Sequence, residues 1–102
     1  MSNPTPFERT VVVVPTYNEG AMVGTVVTEL REVFPHVVCV DDGSRDDSAQ
    51  AARAAGATVL RHPVNLGQGA ALQTGFDYVL GRTTASHVVT FDADGQYLVP
   101  DA

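Results

Sequence analysis

Four short runs of apolar residues recur along the chain, and polar residues, Pro or Gly bound each of them. The first run, residues 10–15, reads TVVVVP and is apolar at consecutive positions, which is typical of a strand buried on both faces. Three further runs follow at residues 36–40, 57–62 and 87–91. The pattern therefore predicts four β-strands.

The segments between these runs carry a helical repeat. Apolar residues recur at helical spacing over residues 20–35 and again over residues 70–80, and an Ala-rich stretch that ends at Gly56 fits a shorter helix. Ser44 followed by Asp47 resembles a capping box at the start of that shorter helix. Because strands that alternate with helices form parallel βαβ units, the predicted fold class is α/β.

Length and composition fit one folded domain. The chain has 102 residues, of which 44% are hydrophobic and 18% are charged, as expected for a compact protein with a single core. We expect residues 10–102 to form this domain and residues 1–9 to be an extended or disordered N-terminus. Cys39 lies among valines, which predicts a buried thiol, and as the only cysteine it has no disulfide partner within the chain.

The charge balance limits the classes of partner. Acidic residues outnumber Lys plus Arg by 12 to 6, the net charge is −6, and Lys is absent. A nucleic-acid partner requires a basic face, so we exclude that class, and without Lys neither a Walker phosphate loop nor a Schiff base is available. No segment resembles a signal peptide or reaches transmembrane length, so we expect a cytoplasmic protein.

Unusual polar residues collect in four segments, and each segment follows a predicted strand. They read PTYNEG, DDGSRDD, HPVNLGQG and DADGQ in chain order. In open parallel sheets, ligands bind beyond the carboxyl ends of the strands, where these segments converge. The distribution therefore predicts one composite site at this edge of the sheet.

The last of these segments has two interpretations. Asp92 and Asp94 flank one residue, so both carboxylates can point into the same crevice, and Gln96 adds a further oxygen. Such oxygen ligands suit Mg²⁺, which often completes its shell with substrate phosphates. The alternative is a solvated turn, since Asp and Gly are common in turns. The position of DADGQ beside three other polar segments favours the metal site.

The second and third segments suggest contacts to a nucleotide. Asp41 and Asp42 follow a strand, where acids can accept hydrogen bonds from a base or ribose, whereas we assign Asp46 and Asp47 to the start of the next helix. Two glycines of NLGQGAA, at positions 67 and 69, lie where a helix begins and allow close approach of a ligand. The spacing is not that of a Rossmann dinucleotide fingerprint.

Together, VVVVPTYNEG, VDDGSRDDS, NLGQGAALQTGF and FDADGQ resemble the N-terminal half of a family 2 inverting glycosyltransferase of the GT-A fold. The resemblance extends from Val11 to the end of the chain, and it is closest to the polyprenyl-phosphate branch, which includes dolichyl-phosphate mannose synthase. One departure is Gln68, where many relatives carry Lys or Arg. On this resemblance, we expect a truncated chain that lacks the acceptor-binding half and its catalytic base, so the catalytic residues stay unassigned.

The resemblance implies roles for the candidate residues. Asp92, Asp94 and Gln96 would hold Mg²⁺ or Mn²⁺ against the diphosphate of a UDP- or GDP-sugar. The acceptor would be a polyprenyl phosphate or another hydroxyl acceptor, and a lipid acceptor would lie at the cytoplasmic face of a membrane. The remaining candidates would bind the nucleotide, and they are Pro15, Tyr17, Glu19, Asp41, Asp42, Gly67 and Gly69.

Two other functions and one assembly state stay open at this stage. A module that binds nucleotide or metal without sugar transfer would share every motif. A phosphoacceptor receiver domain is disfavoured, because its acid pair follows the first strand and its site requires a Lys. A half-fold would expose a sheet edge and an apolar face, so a homodimer is a further expectation.

Overall fold

The computed structural model describes residues 9–92 and the backbone of residues 97–98. Strands and helices alternate through residues 10–91, and a two-residue strand follows. In chain order the elements are β1 Thr10–Thr16, α1 Gly20–Arg31, β2 His36–Asp42, α2 Ser48–Ala54, β3 Thr58–His62, α3 Gln68–Arg82, β4 His87–Phe91 and β5 Tyr97–Leu98. Residues 1–8 of the predicted N-terminal segment lie outside the described residues.

The sheet has the order β3-β2-β1-β4-β5, with β1 at its centre. The first four strands are parallel, which confirms the predicted α/β class and the parallel sheet. The short β5 pairs with β4 in the antiparallel direction and was not predicted from the sequence. None of the helices in the described part of the chain is both long enough and apolar enough to cross a membrane.

Helices cover both faces of the sheet. Val12 and Val14 of β1 pack with α1 and α2 on one face, whereas Val11 and Val13 pack with α3 on the other. All four valines are almost fully buried. Burial on both sides explains why this strand is apolar at consecutive positions rather than at alternate ones.

The second strand continues further than its apolar run. It includes Asp41 and Asp42, which are buried to the same degree as the valines before them. Cys39 is also buried, as predicted, and burial raises the pKa of its thiol to about 11. The hydroxyl of Thr16 lies 3.0 Å from its sulfur. Thus the polar groups at this edge belong to the sheet itself and are held as firmly as the core.

A glycine permits α3 to pack closely on the sheet. Gly75 is buried, and a Cβ atom added to it would lie 2.4 Å from Cγ1 of Val13 and 3.3 Å from Cγ2 of Val40. Since Val side chains have little rotamer freedom, neither neighbour can easily yield. The close approach of α3 to the two central strands therefore requires glycine at this position.

We expect Gly75→Ala to lower the free energy of unfolding by about 1–3 kcal/mol, because the added methyl group overpacks the interface between α3 and β1. The matched control is Gly81→Ala in the same helix, where an added Cβ meets no atom within 4 Å. In the control, the better helix propensity of Ala should raise stability by about 0.5–1 kcal/mol. Urea unfolding measures both changes, and changes of the same sign and size would contradict this packing.

Candidate functional site

A cleft of about 460 Å³ opens at the carboxyl edge of the sheet. Residues from all four predicted polar segments line it, so the structure brings these segments together. The lining residues are Pro15, Thr16, Tyr17, Glu19, Asp42, Asn65, Gly67, Gln68, Ala71 and Asp92.

Six of the ten predicted site residues line this cleft: Pro15, Tyr17, Glu19, Asp42, Gly67 and Asp92. Asp41 and Gly69 lie at the same edge but do not line it. Asp94 and Gln96 lie outside the described residues. Within residues 9–92 and 97–98, no three His, Cys, Asp or Glu side chains are grouped so that they could hold a metal ion.

The Asp42 carboxylate holds the segment that leads into α3. Its Oδ1 accepts hydrogen bonds from the backbone N–H of Leu66 at 2.9 Å and contacts Nδ1 of His62 at 2.8 Å. Its Oδ2 accepts a hydrogen bond from the N–H of Gly67 at 2.9 Å, and its carbonyl oxygen accepts one from the side-chain amide of Asn65 at 3.2 Å. The cleft wall formed by residues 65–67 therefore depends on Asp42.

These contacts determine the ionisation of Asp42. Burial by itself would raise the pKa of its carboxyl group, but hydrogen bonds from His62, Leu66 and Gly67, together with the charge of His62, lower the pKa below its usual value. The other ring nitrogen of His62 lies 2.8 Å from the hydroxyl of Thr74, on α3. The chain Asp42–His62–Thr74 thus joins β2, β3 and α3 behind the cleft.

Asp41 points away from this network. Its Oδ2 lies 3.4 Å from Nε of Arg61 and accepts a hydrogen bond from the N–H of Ser44 at 3.2 Å. Its Oδ1 is buried and has no hydrogen-bond partner. A buried acceptor without a partner is unfavourable, and because Asp41 is fully buried and does not line the cleft, this oxygen does not open into the cleft.

Side chains also join the segments that follow β1 and β2. The backbone N–H of Asn18 donates a hydrogen bond to the hydroxyl of Ser44 at 2.8 Å, and the side-chain oxygen of Asn18 accepts one from the N–H of Arg45 at 2.9 Å. Asn18 has a positive φ of 51°, a conformation that Asn tolerates better than most residues. The reciprocal pair fixes the two segments against each other.

The same arrangement satisfies the first N–H groups of α1. The hydroxyl of Ser48 accepts a hydrogen bond from the N–H of Glu19 at 2.8 Å, and Oδ2 of Asp46 accepts one from the N–H of Gly20 at 3.0 Å. Asp46 also accepts hydrogen bonds from the hydroxyl and the N–H of Ser48. The hydrogen bond from the Ser48 hydroxyl is the largest cause that lowers the pKa of Asp46, desolvation opposes it, and the backbone N–H donors lower the pKa further.

The predicted capping box at α2 is therefore wrong. The residue before this helix is Asp47, and its side chain makes no capping hydrogen bond. Ser44 lies upstream of the residue that precedes the helix, and its hydroxyl accepts a hydrogen bond from the N–H of Asn18 instead. Asp46 does act at a helix start, as expected, but it serves α1 as well as α2.

The N-terminus of α3 faces the cleft. Gly67 precedes the helix with a φ of 101°, which favours glycine, and no side chain caps this end. The first N–H to bond within the helix is that of Ala71, which donates to the carbonyl oxygen of Gly67. The backbone N–H groups of residues 68–70 consequently have no carbonyl partner inside the helix.

Four cleft residues were not identified from the sequence: Thr16, Asn65, Gln68 and Ala71. Thr16 is the last residue of β1 and lies one position beyond the apolar run. The other three lie in or directly after NLGQG, and α3 begins two residues earlier than the apolar repeat indicates. Thr16, Asn65 and Gln68 lie inside the polar segments, so counting every residue of these segments would have found three of the four, and only Ala71 lies beyond them.

Comparisons with known proteins identify the family. The chain matches Glycosyl transferase family 2 over residues 11–100. It is 42% identical to an uncharacterised protein of Methanocaldococcus jannaschii, over 84% of this chain and 35% of that protein. It is 36% identical to a polyprenol monophosphomannose synthase of Mycolicibacterium smegmatis, over 90% of this chain and 37% of that protein.

A third relative is a UDP-N-acetylglucosamine–dolichyl-phosphate N-acetylglucosaminyltransferase of Methanococcus voltae, which is 31% identical over 88% of this chain and 43% of its own length. The chain thus spans well under half the length of these relatives. The two relatives with described activities confirm the resemblance to the polyprenyl-phosphate branch.

Solved structures agree with this assignment. Glucosyl-3-phosphoglycerate synthase of Mycobacterium tuberculosis, in complex with Mn²⁺, UDP and glucosyl-3-phosphoglycerate, superposes with a TM-score of 0.69 at 29% identity, over 84% of this chain and 33% of the synthase. Mannosyl-3-phosphoglycerate synthase of Rubrobacter xylanophilus gives 0.72 at 25% identity, over 91% and 33% respectively. The chain has the GT-A type of α/β fold, and it belongs to glycosyl transferase family 2.

Proposed function

We propose that this chain binds the sugar-nucleotide donor of a glycosyltransferase that transfers a sugar from a UDP- or GDP-sugar to a polyprenyl phosphate. The observation that carries the proposal is the cleft at the carboxyl edge, which gathers residues from four separate strand ends around Asp92. The complex of the related mycobacterial synthase with UDP and Mn²⁺ supports it.

The β1 side of the cleft suits the nucleoside. Tyr17 is 45% exposed and lines the cleft beside Pro15, so its ring is available to a base. Asp41 is fully buried and does not line the cleft, so in this proposal it supports the segment after β2 through the hydrogen bond that it accepts from Ser44. Asp42 acts differently in this proposal, because its oxygens are engaged by the chain and it positions the cleft wall.

The start of α3 suits the diphosphate. The N–H groups of residues 68–70 and the positive end of the helix dipole favour a negatively charged group. Gly67 and Gln68 line the cleft at this point, and the absence of a side chain at Gly67 allows a phosphate to come close to the backbone. Because Gln68 is neutral, the charge of the diphosphate would be offset mainly by the helix end and a divalent ion.

The donor atoms fit a hard divalent ion. Asp92 follows β4 directly and lines the cleft, and carboxylate oxygen is a preferred ligand of Mg²⁺ and Mn²⁺. Asp92, with Asp94 and Gln96, would hold the ion in this proposal. A bound divalent ion supplies Lewis-acid stabilisation of the nucleoside diphosphate as it departs.

A phosphate acceptor places a different demand on the protein from an alcohol acceptor. An alcohol must lose a proton as it attacks, whereas a phosphate monoester is largely ionised at neutral pH and needs only to be positioned. The polyprenol and dolichyl phosphates in the names of the two relatives support this class of acceptor. A lipid acceptor would place the reaction at the cytoplasmic face of a membrane.

Calorimetric titration of the chain with UDP and GDP should show binding that requires Mn²⁺ and is abolished by EDTA. Asp92→Asn is expected to weaken this binding about tenfold or more, because one charged metal ligand is lost. The matched control is Asp77→Asn, which removes an exposed carboxylate of α3 that does not line the cleft. Folded protein that binds neither nucleotide in the presence of Mn²⁺ would overturn the proposal.

Asp42→Asn tests the positioning role. The amide has one acceptor instead of two, so a backbone N–H of the cleft wall loses its partner, and we expect unfolding free energy at pH 7 to fall by about 1–3 kcal/mol. Nucleotide affinity should fall as well, since the wall loosens.

The same substitution has a pH signature. The folded-state pKa of Asp42 is lower than its unfolded-state pKa of about 3.9, so its stabilisation is complete above that value and is lost as the pH falls through the folded-state pKa. The stability difference between Asp42→Asn and the native chain should therefore shrink below about pH 4. Urea unfolding over a pH series measures it, with Asp77→Asn as reference, and a pH-independent difference would refute this role.

A further inference from the structure

A second cavity lies at the opposite edge of the sheet from the cleft. It has a volume of about 440 Å³, and its wall includes the guanidinium-bearing residues Arg9, Arg31 and Arg82. We call it the arginine cavity. The chain contains only six Lys and Arg residues and has a net charge of −6, so half of its cationic side chains line this one space.

No acidic residue is among the described residues that line the arginine cavity, and none of its three arginines forms an ion pair with a described carboxylate. The ion pairs within residues 9–92 are Arg61 with Asp41 and His62 with Asp42, both at the carboxyl edge. Three cations that share one cavity repel each other, and a bound anion would remove this cost.

Two of the three guanidinium groups are held in place. Arg31 donates a hydrogen bond to the carbonyl oxygen of Gly56 at 3.1 Å. A Cβ atom added to Gly56 would lie 2.1 Å from Nη1 of Arg31, so the guanidinium packs directly against this glycine. Arg9 donates one to the carbonyl oxygen of Thr84 at 3.4 Å. Each guanidinium has five N–H donors, so most of them stay available to a ligand.

Helix dipoles explain part of this arrangement but not all of it. Arg31, Arg53 and Arg82 each lie in the last turn of a helix, where a cation is favourable. This effect applies equally to Arg53, which does not line the cavity, and it does not apply to Arg9, which precedes β1. The convergence on one cavity therefore needs a further reason.

We infer that the arginine cavity binds a small organic phosphate. Guanidinium groups match the oxygen geometry of phosphate in bidentate contacts. The volume lies within the range of about 300–1,000 Å³ that is typical of small-molecule sites. Apolar residues such as Val11 and Val37 and the ring of Tyr78 complete the wall, so the ligand carries a carbon skeleton beside its phosphate. A free phosphorylated metabolite and a phospholipid headgroup share this chemistry.

The test is a titration of the 102-residue chain with glycerol phosphate in EDTA, which prevents metal-dependent binding in the cleft, followed by NMR of the backbone amides. Saturable shifts are expected near Gly56 and Thr84. Arg31→Gln and Arg82→Gln should each weaken binding about tenfold or more. Arg82 makes no hydrogen bond or ion pair through its side chain within residues 9–92, so its replacement leaves the fold undisturbed.

Arg53→Gln is the matched control, because it removes the same charge from a helix end outside the cavity. Equal weakening by this variant, or shifts centred on Leu66 and Gly67, would overturn the inference. Sedimentation with phosphatidylglycerol vesicles distinguishes a lipid headgroup from a free metabolite. The site is assigned to a lipid headgroup if the chain binds vesicles but not glycerol phosphate, and if Arg82→Gln abolishes vesicle binding whereas Arg53→Gln retains it. Binding of neither probe refutes it.

Discussion

The first N–H groups of an α-helix have no acceptor within the helix, and this constraint organises the carboxyl edge of the sheet. None of the three helices in the described part of the chain is capped by the side chain of its own N-cap residue. Instead, Asp46 and Ser48 accept from the start of α1, and Asp42 accepts from the residues that lead into α3. The start of α1 and the residues that lead into α3 are therefore each held by another segment of the chain.

Because acceptors in one segment bind the N–H groups of another, hydrogen bonds link the segments at the carboxyl edge of the sheet. Asp42 is the last residue of the buried strand β2, so its hydrogen bonds fix the segment before α3 to the core of the sheet. A cleft whose walls are fixed before the ligand arrives loses less conformational entropy on binding. The same buried carboxylates that would be costly in an apolar core are tolerated here because most of their oxygens meet donors.

The sequence was sufficient for the fold class, because apolar periodicity reports burial directly. The bounds of β4 agree with its apolar run, and β1, which is buried on both faces, is equally clear. The roles of Asp42 and Ser44 could not be predicted, since their partners lie 24 and 26 positions away and depend on strand register. The two-residue β5 has no pattern long enough to detect.

The position of β1 at the centre of the sheet affects how the chain must fold. Its pairing with β2 joins parts of the chain that only one helix separates. Its other edge pairs with β4, where Thr10 lies opposite His87. Beside this pair, the Ser86 hydroxyl contacts the carbonyl oxygen of Arg9 at a separation of 77 residues. Such non-local pairing raises the contact order and slows folding. During synthesis, β1 therefore keeps the hydrogen-bonding edge that faces β4 unpaired until almost the whole described chain has emerged.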